Sequence, residues 1–301
     1  IDYFDEGPAR VVQGGVEVGG RKIAAPKLVI ATGSRPELPP IDGIDKVKTL
    51  DSTALLDLKE KPESLTFIGG GFIGAELAQM MARMGVKVTM ICRSRLLPGA
   101  EPEVSEALTD AFRAEGITMH CGITYDACRQ DASGVTICIE KDGEPLEVTS
   151  QHLVVTAGRR ANTDELGLDA LGVDLDRKGA VMVGDDMQST RPGLFAAGDV
   201  TDRDQFVYMA AYGAKVAVNN ALGLEPMTYD NSSMPWVVFT DSQVAGAGLS
   251  EAEAIEAGYE VKTSVVGLDN VPRALAARDT RGLIKLVADA KTDRLLGGQI
   301  M

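Results

Sequence analysis

Two hydrophobic periods alternate along the chain. Leu65-Thr66-Phe67-Ile68 and Val86-Lys87-Val88-Thr89-Met90-Ile91-Cys92 are short, nearly continuous apolar runs, as expected of strands buried on both faces. Between them Leu77, Ala78, Met81, Ala82 and Met84 recur at helical spacing and stop at Gly85, a helix C-terminal signal. This methionine-bearing stripe reads as packing against a sheet. Val104, Leu108, Ala111 and Phe112 mark a second amphipathic helix, Pro102–Glu115, ended by Gly116. The period then falls to two. Val135–Glu140 alternates, Lys141-Asp142-Gly143-Glu144 turns, and Pro145–Val148 follows, a hairpin signal. Leu153–Val155 returns as a buried strand, so residues 65–158 predict β-α-β-α-β, a meander and a last strand.

The flanks have a different texture. Residues 1–30 predict short strands turning at Gly14-Gly15 and Gly19-Gly20, and Lys27–Ala31 predicts an apolar strand stopped at Thr32-Gly33. Pro36, Pro39 and Pro40 make a connector, since proline cannot donate to a ladder and restricts the residue before it. Asp51-Ser52 can cap a short helix through Leu58. The turns Ala31-Thr32-Gly33 and Ala157-Gly158-Arg159 look like the points where the chain enters and leaves an inserted domain. From Pro235 onward, strands at 236–240, 261–266, 282–287 and 295–301 with a helix at 251–257 predict an antiparallel sheet with helices on one face.

Charge and cysteine usage narrow the function classes. A net charge of −14 repels phosphate backbones, which argues against nucleic acid as a partner. No apolar run approaches a membrane span, and the N-terminus resembles neither a signal nor a transit peptide. Cys92, Cys121, Cys128 and Cys138 form no Cys-x-x-Cys or zinc-ligand pattern, so no metal site is expected, and a reducing, cytoplasmic setting is. His120 and His152 lie beside apolar strands and read as structural. The absence of an initiator Met is consistent with a chain that begins inside a longer protein.

The strongest chemical signal is Gly69-x-Gly71-x-x-Gly74, set between the first strand and the first helix. In that context it is a dinucleotide fingerprint. Gly69 allows the tight turn, Gly71 the approach of a pyrophosphate and Gly74 close helix–strand packing. The phosphates would rest at the helix N-terminus, where amide groups and the helix dipole favour negative charge. The acidic residue that would hold a ribose 2′-hydroxyl about 20 residues on is replaced by Cys92, with Arg93 and Arg95 beyond. Arginine matches a 2′-phosphate, so NADPH is expected over NADH, the alternative being two solvated loop arginines. A second motif, Leu194-Phe195-Ala196-Ala197-Gly198-Asp199, ends a small-residue strand on a carboxylate that could meet sugar-like hydroxyls or cap the next turn.

The ordered set Ala31-Thr32-Gly33, Gly69-x-Gly71-x-x-Gly74, Gly158-Arg159-x-x-Asn162 and Ala197-Gly198-Asp199 resembles the pyridine nucleotide–disulfide oxidoreductases over essentially the whole chain. Within that family, Leu268–Leu275, Asp279–Gly282, Val237–Asp241 and Gln205–Tyr208 are similar to the mercuric reductase branch. That branch commonly has Ser and Ala at the second and third fingerprint positions, where this chain has Gly71 and Gly74. The resemblance implies an α/β fold: a Rossmann-like NAD(P)-binding domain (39–158) inserted in a partial FAD-binding domain (1–38 and 159–229), then the start of an α+β interface domain (230–301).

It also implies roles. Asp199 would bond the FAD ribityl chain, with Thr32 and Gly33 along the flavin nucleotide and Arg159 beside the flavin. Amides around Gln205, Phe206 and Val207 would face its pyrimidine end. Phe72 would gate the isoalloxazine ring, Glu76 would pair with a lysine near flavin N5, Val237 would touch the nicotinamide carboxamide, and Gly158 would belong to the nucleotide site. The implied activity passes hydride from NADPH to FAD and on to thiol-bound Hg(II), in a homodimer. The family's FAD-pyrophosphate glycines, its Cys-x-x-x-x-Cys pair and its C-terminal active-site residues do not occur in this sequence, so the chain alone is expected to be inactive. The alternatives are a dihydrolipoamide dehydrogenase-like reductase of an organic disulfide and a non-catalytic dinucleotide-binding module.

Overall fold

A computed structural model describes residues 1–301, whose backbone contacts fall into two units: 1–35 with 159–231, and 36–158 with 232–301. No helix is long and apolar enough to cross a membrane.

In the first unit, strands Ala9–Val12, Gly15–Val18 and Arg21–Ala24 form an antiparallel meander, turning at the predicted glycine pairs. Leu28–Ile30 pairs in parallel with Leu194–Ala196. This brings the turn at Gly33 and the Gly198-Asp199 turn to the same end of one strand pair. Ile30, Leu194 and Ala196 share a core with Val11, Leu168, Val181 and Val200. Helix Val207–Ala221 follows.

The second unit is built on a five-stranded parallel sheet in the order Thr49–Leu50, His152–Val155, Ser64–Ile68, Lys87–Cys92, Thr118–Cys121. The edge strand Thr49–Leu50 is too short to leave a periodic signal. Side chains alternate across the sheet as the period of two requires. Leu65, Phe67, Val88 and Met90 pack with Ala78, Met81, Leu108 and Phe112 of helices Phe72–Arg83 and Pro102–Ala114. Ile68, Ile91, Leu153 and Val155 pack with Ile137 and Ile139 of the meander Ile123–Asp131, Gly134–Lys141, Glu144–Ser150. The predicted meander thus covers the sheet face opposite the helices. Each fully buried Leu, Phe or Met contributes about 1.5–3 kcal/mol.

Both helices stop where a glycine can turn left-handed, at Gly85 (φ 83°) and Gly116 (φ 87°). Met84, at the end of the methionine stripe, is exposed, while Met81 is buried. The capped helix at Asp51 spans only Ser52–Leu56, with the Asp51 carboxylate accepting from the Ala54 amide at 2.8 Å.

The same unit carries an all-antiparallel sheet in the order Pro235–Val238, Val244–Gly248, Leu295–Ile300, Leu283–Asp289, Val261–Gly267. Val238, Val244 and Met301 join the core of the parallel sheet. Arg83, from the first fingerprint helix, ties this packing at its edge. It bonds Glu115 at 2.7 Å and Asp241 at 2.8 Å. The Arg83 hydrogen bond holds the Glu115 carboxyl below its ordinary value of 4.5, against the opposing effect of burial. A carboxyl depressed in the folded state stabilises above its unfolded value, and the contribution fades as pH falls through the folded one. Stability should therefore drop below about pH 4.5. Urea midpoints at about pH 3.5 and 6.5 check this. Arg83→Met should shrink the difference, and an unchanged difference would remove Glu115 as its source.

Candidate nucleotide-binding site

Strand Ser64–Ile68 runs into Gly69, whose amide donates to the Ile91 carbonyl at 3.0 Å and whose φ is 110°. The three fingerprint glycines serve different needs. A Cβ on Gly69 would lie 2.5 Å from the Thr156 carbonyl oxygen. One on Gly74 would lie 2.7 Å from Thr156 Oγ1 and 2.8 Å from the Gly69 carbonyl oxygen. These two glycines let helix and strands close together. Gly71 has an ordinary φ of −78°, and a Cβ there would meet nothing within 4 Å. Its lack of a side chain therefore answers to no neighbour within the fold.

Gly71 is also the N-cap of helix Phe72–Arg83, and no side chain caps that end. Helix N-termini need acceptors for their first amides, and an anion supplies them. In front of this end lies a cavity of about 710 Å³, lined by Gly69, Gly70, Gly71, Arg93, Arg95 and Gly158 among others. Gly158 has φ 150° and open space around its Cβ position.

The two arginines part company. Arg93 is exposed on the cavity wall and enters no ion pair. Arg95 lines the same cavity, but its Nη2 donates to the carbonyls of Pro98 at 2.9 Å and Ala100 at 2.7 Å, so its fork braces its own loop. Its Nε is buried without a partner. Cys92, in the place of the usual acid, is 1% exposed and lies against Gly70.

Phe72 and Glu76 lie four residues apart, one turn along the same helix face. The Phe72 ring is 5.5 Å from that of Trp236, tilted by 34°. The Glu76 carboxylate accepts from the Phe239 amide at 2.8 Å. Half-buried Val237 lies between those contacts on strand Pro235–Val238, so the structure groups Phe72, Glu76 and Val237.

In the first unit, a residue that the sequence reading passed over organises the site. Ser34 Oγ donates to Asp199 Oδ2 at 2.6 Å and accepts from Arg159 Nε at 2.7 Å, and Arg159 Nη2 donates to the Ser34 carbonyl. Arg159 and Asp199 are themselves 3.7 Å apart. Thr32 Oγ1 donates to the Asn162 carbonyl at 2.7 Å, and the Asn162 amide donates to the Gly33 carbonyl at 2.9 Å. Ser34 thus links Arg159 with Asp199, and Asn162 links Thr32 with Gly33. Gln205, Phe206 and Val207 stand at the start of helix Val207–Ala221, with Gln205 donating to Asp202 at 2.9 Å. Tyr125 and Thr156 were also missed as cavity residues. The turn at Thr156-Ala157-Gly158 was legible, but Tyr125 sits in a meander strand that carries no nucleotide signal.

The chain is similar to known proteins over nearly its whole length. A family model described as pyridine nucleotide-disulphide oxidoreductase matches residues 2–219, and the dimerisation-domain model of the same description matches 234–301. The mercuric reductase of Staphylococcus aureus is 41% identical over 287 residues, covering 95% of this chain and 52% of that protein. That of Streptomyces lividans is 41% identical over 283 residues, covering 94% and 60%. A solved structure, the HOCl-induced flavoprotein disulfide reductase RclA from Escherichia coli, matches with a TM-score of 0.84 at 29% identity, covering 98% of this chain and 68% of that one. The chain thus spans about half of the length of the curated relatives it matches.

Proposed function

This chain belongs to the pyridine nucleotide–disulphide oxidoreductases, and from that premise we propose that its cavity at Gly69–Gly71 binds NADPH. Members of the family use FAD and NAD(P)H. The observation that carries the reading is Gly71: an unstrained glycine with empty space before an uncapped helix start, in a cavity that ends at an unpaired arginine. The pyrophosphate would lie over Gly71, and Arg93 would meet the 2′-phosphate through a charge-assisted fork. Arg95 would shape the loop that presents Arg93.

Titration with NADPH and NADH tests this. Arg93→Glu should cost NADPH about 1–3 kcal/mol of binding and spare NADH. Arg95→Ala should weaken both nucleotides alike, because it loosens the loop and removes no phosphate contact. Equal losses for the two nucleotides with Arg93→Glu would end the preference for NADPH.

FAD would supply the two-electron relay between nucleotide and substrate. Asp199 keeps lone pairs beyond those used by Ser34, and a ribityl hydroxyl could donate to them, with the Arg159 guanidinium 3.7 Å away. Phe72 would cover the site until nicotinamide displaces it, and Glu76, held by the Phe239 amide, would fix the helix under that ring.

For the whole protein we propose a cytoplasmic homodimer that passes hydride from NADPH to FAD and reduces Hg(II) held by thiolates outside this sequence. Thiolate is the ligand type that this soft ion prefers. The segment Leu268–Leu275 and the mercuric reductases among the relatives support Hg(II) over an organic disulfide. NADPH oxidation by the whole protein should respond to Hg(II) and not to lipoamide. The reverse would select the disulfide reductase.

A further inference from the structure

Cys92 and Cys121 end adjacent parallel strands and are register partners. Their side chains leave the sheet on the face that the helices cover, so the two thiols enter the same core from neighbouring positions. Cys92 sits directly behind the fingerprint loop: a Cβ on Gly70 would lie 2.7 Å from its sulfur. Cys121 is half-buried on the outer strand of the sheet, where a small reagent can reach it. Neither thiol has a part in the proposed hydride path.

We propose that Cys92 and Cys121 form a reversible thiol–disulfide switch that exchanges with small organic disulfides and weakens nucleotide binding when closed. The second half of this statement rests on the reading of the cavity as an NADPH site. The Cys121 thiolate attacks one sulfur of the organic disulfide. The new S–S bond forms as the old one breaks, and one thiolate leaves. Cys92 then gives up its proton and attacks the Cys121 sulfur, closing the protein disulfide and releasing the second thiol. Two protein thiols are oxidised, one organic disulfide is reduced to two thiols, and no further reactant is needed.

The environment assigns the order of events. The neighbouring Cys92 thiol, with Arg113 adding to it against burial, brings the Cys121 thiol down to about 7. The neighbouring Cys121 and burial push Cys92 up. Cys121 is therefore the attacking thiolate and Cys92 the resolving thiol. Closure brings the two sulfurs to a bond of about 2.0 Å, which draws the Cys92 sulfur off Gly70 and removes the support behind the amides meant for the pyrophosphate.

The test treats the reduced chain with oxidised glutathione, maps disulfides by mass spectrometry and titrates NADPH by fluorescence. A Cys92–Cys121 bond is expected, together with at least a fivefold rise in the NADPH Kd that dithiothreitol reverses. Cys121→Ser should bind NADPH normally and lose the response to oxidation. The double variant Cys128→Ser, Cys138→Ser should keep it. A Cys128–Cys138 bond, or no protein disulfide, overturns the pair. A mapped Cys92–Cys121 bond with unchanged NADPH affinity overturns the switch. Failure of the reduced chain to bind NADPH sinks the cavity reading instead, while the mapped bond still decides the thiol pair.

Discussion

Gly71→Val should lower NADPH affinity by more than tenfold while changing stability by no more than about 1 kcal/mol, the cost of a poorer N-cap. The asymmetry follows from where the new atoms go. The backbone at Gly71 is extended (φ −78°, ψ −177°), which a β-branched residue adopts freely, and no protein atom lies within 4 Å of the new Cβ. The added methyls instead fill the space in front of the helix start, where phosphate oxygens would approach. Gly74→Val supplies the contrast. Its Cβ would overlap Thr156 Oγ1 at 2.7 Å and the Gly69 carbonyl oxygen at 2.8 Å, so helix and strand must separate, at a cost of about 1–3 kcal/mol or more. Thermal unfolding and nucleotide titration on the same preparations separate the two effects. Equal binding by Gly71→Val and the parent chain would remove the cavity as a nucleotide site.

The largest stability effect is expected at Lys285. This lysine is 2% exposed in strand Leu283–Asp289, and its ammonium meets Glu101 at 3.0 Å, Glu103 at 2.9 Å and Glu251 at 2.8 Å. Burial opposes its charge, but the three carboxylates prevail and hold it protonated, well above the ordinary lysine value. Glu101 is itself buried, and its amide donates to Gln299 Oε1 at 2.7 Å. The cluster joins the helix Pro102–Ala114 end of the parallel sheet to the antiparallel sheet of the same unit. Lys285→Met would leave carboxylates facing one another without a cation, and removing one member of a buried ionic group costs about 3–5 kcal/mol. Urea unfolding should show the loss as a lower midpoint. Glu103→Gln and Glu251→Gln should cost less, since both carboxylates keep access to water. A midpoint unchanged by Lys285→Met would show that the cluster does not hold the two sheets together.

What the sequence determined by itself is the part whose cause is local. Strand and helix periods, the left-handed stops at Gly85 and Gly116 and the turn at Gly69 each depend on residues a few positions apart, so the nucleotide-binding half could be read along the chain. The parallel sheet, the meander and the antiparallel sheet also followed from alternation and turn residues. What only the tertiary structure decided is partnership between distant residues. Arg93 and Arg95 are equivalent as letters, yet the loop from 96 to 100 folds back and occupies one of them. Ser34 joins Asp199 to Arg159 because strands 28–30 and 194–196 pair and strand 159–161 pairs with 34–36. Cys92 meets Cys121, and Lys285 meets three glutamates, through strand register and sheet packing that span from 29 to 184 residues of sequence. A side chain's intrinsic chemistry is written in its letter, but its charge state and availability depend on which neighbours the folded chain brings within a few ångströms.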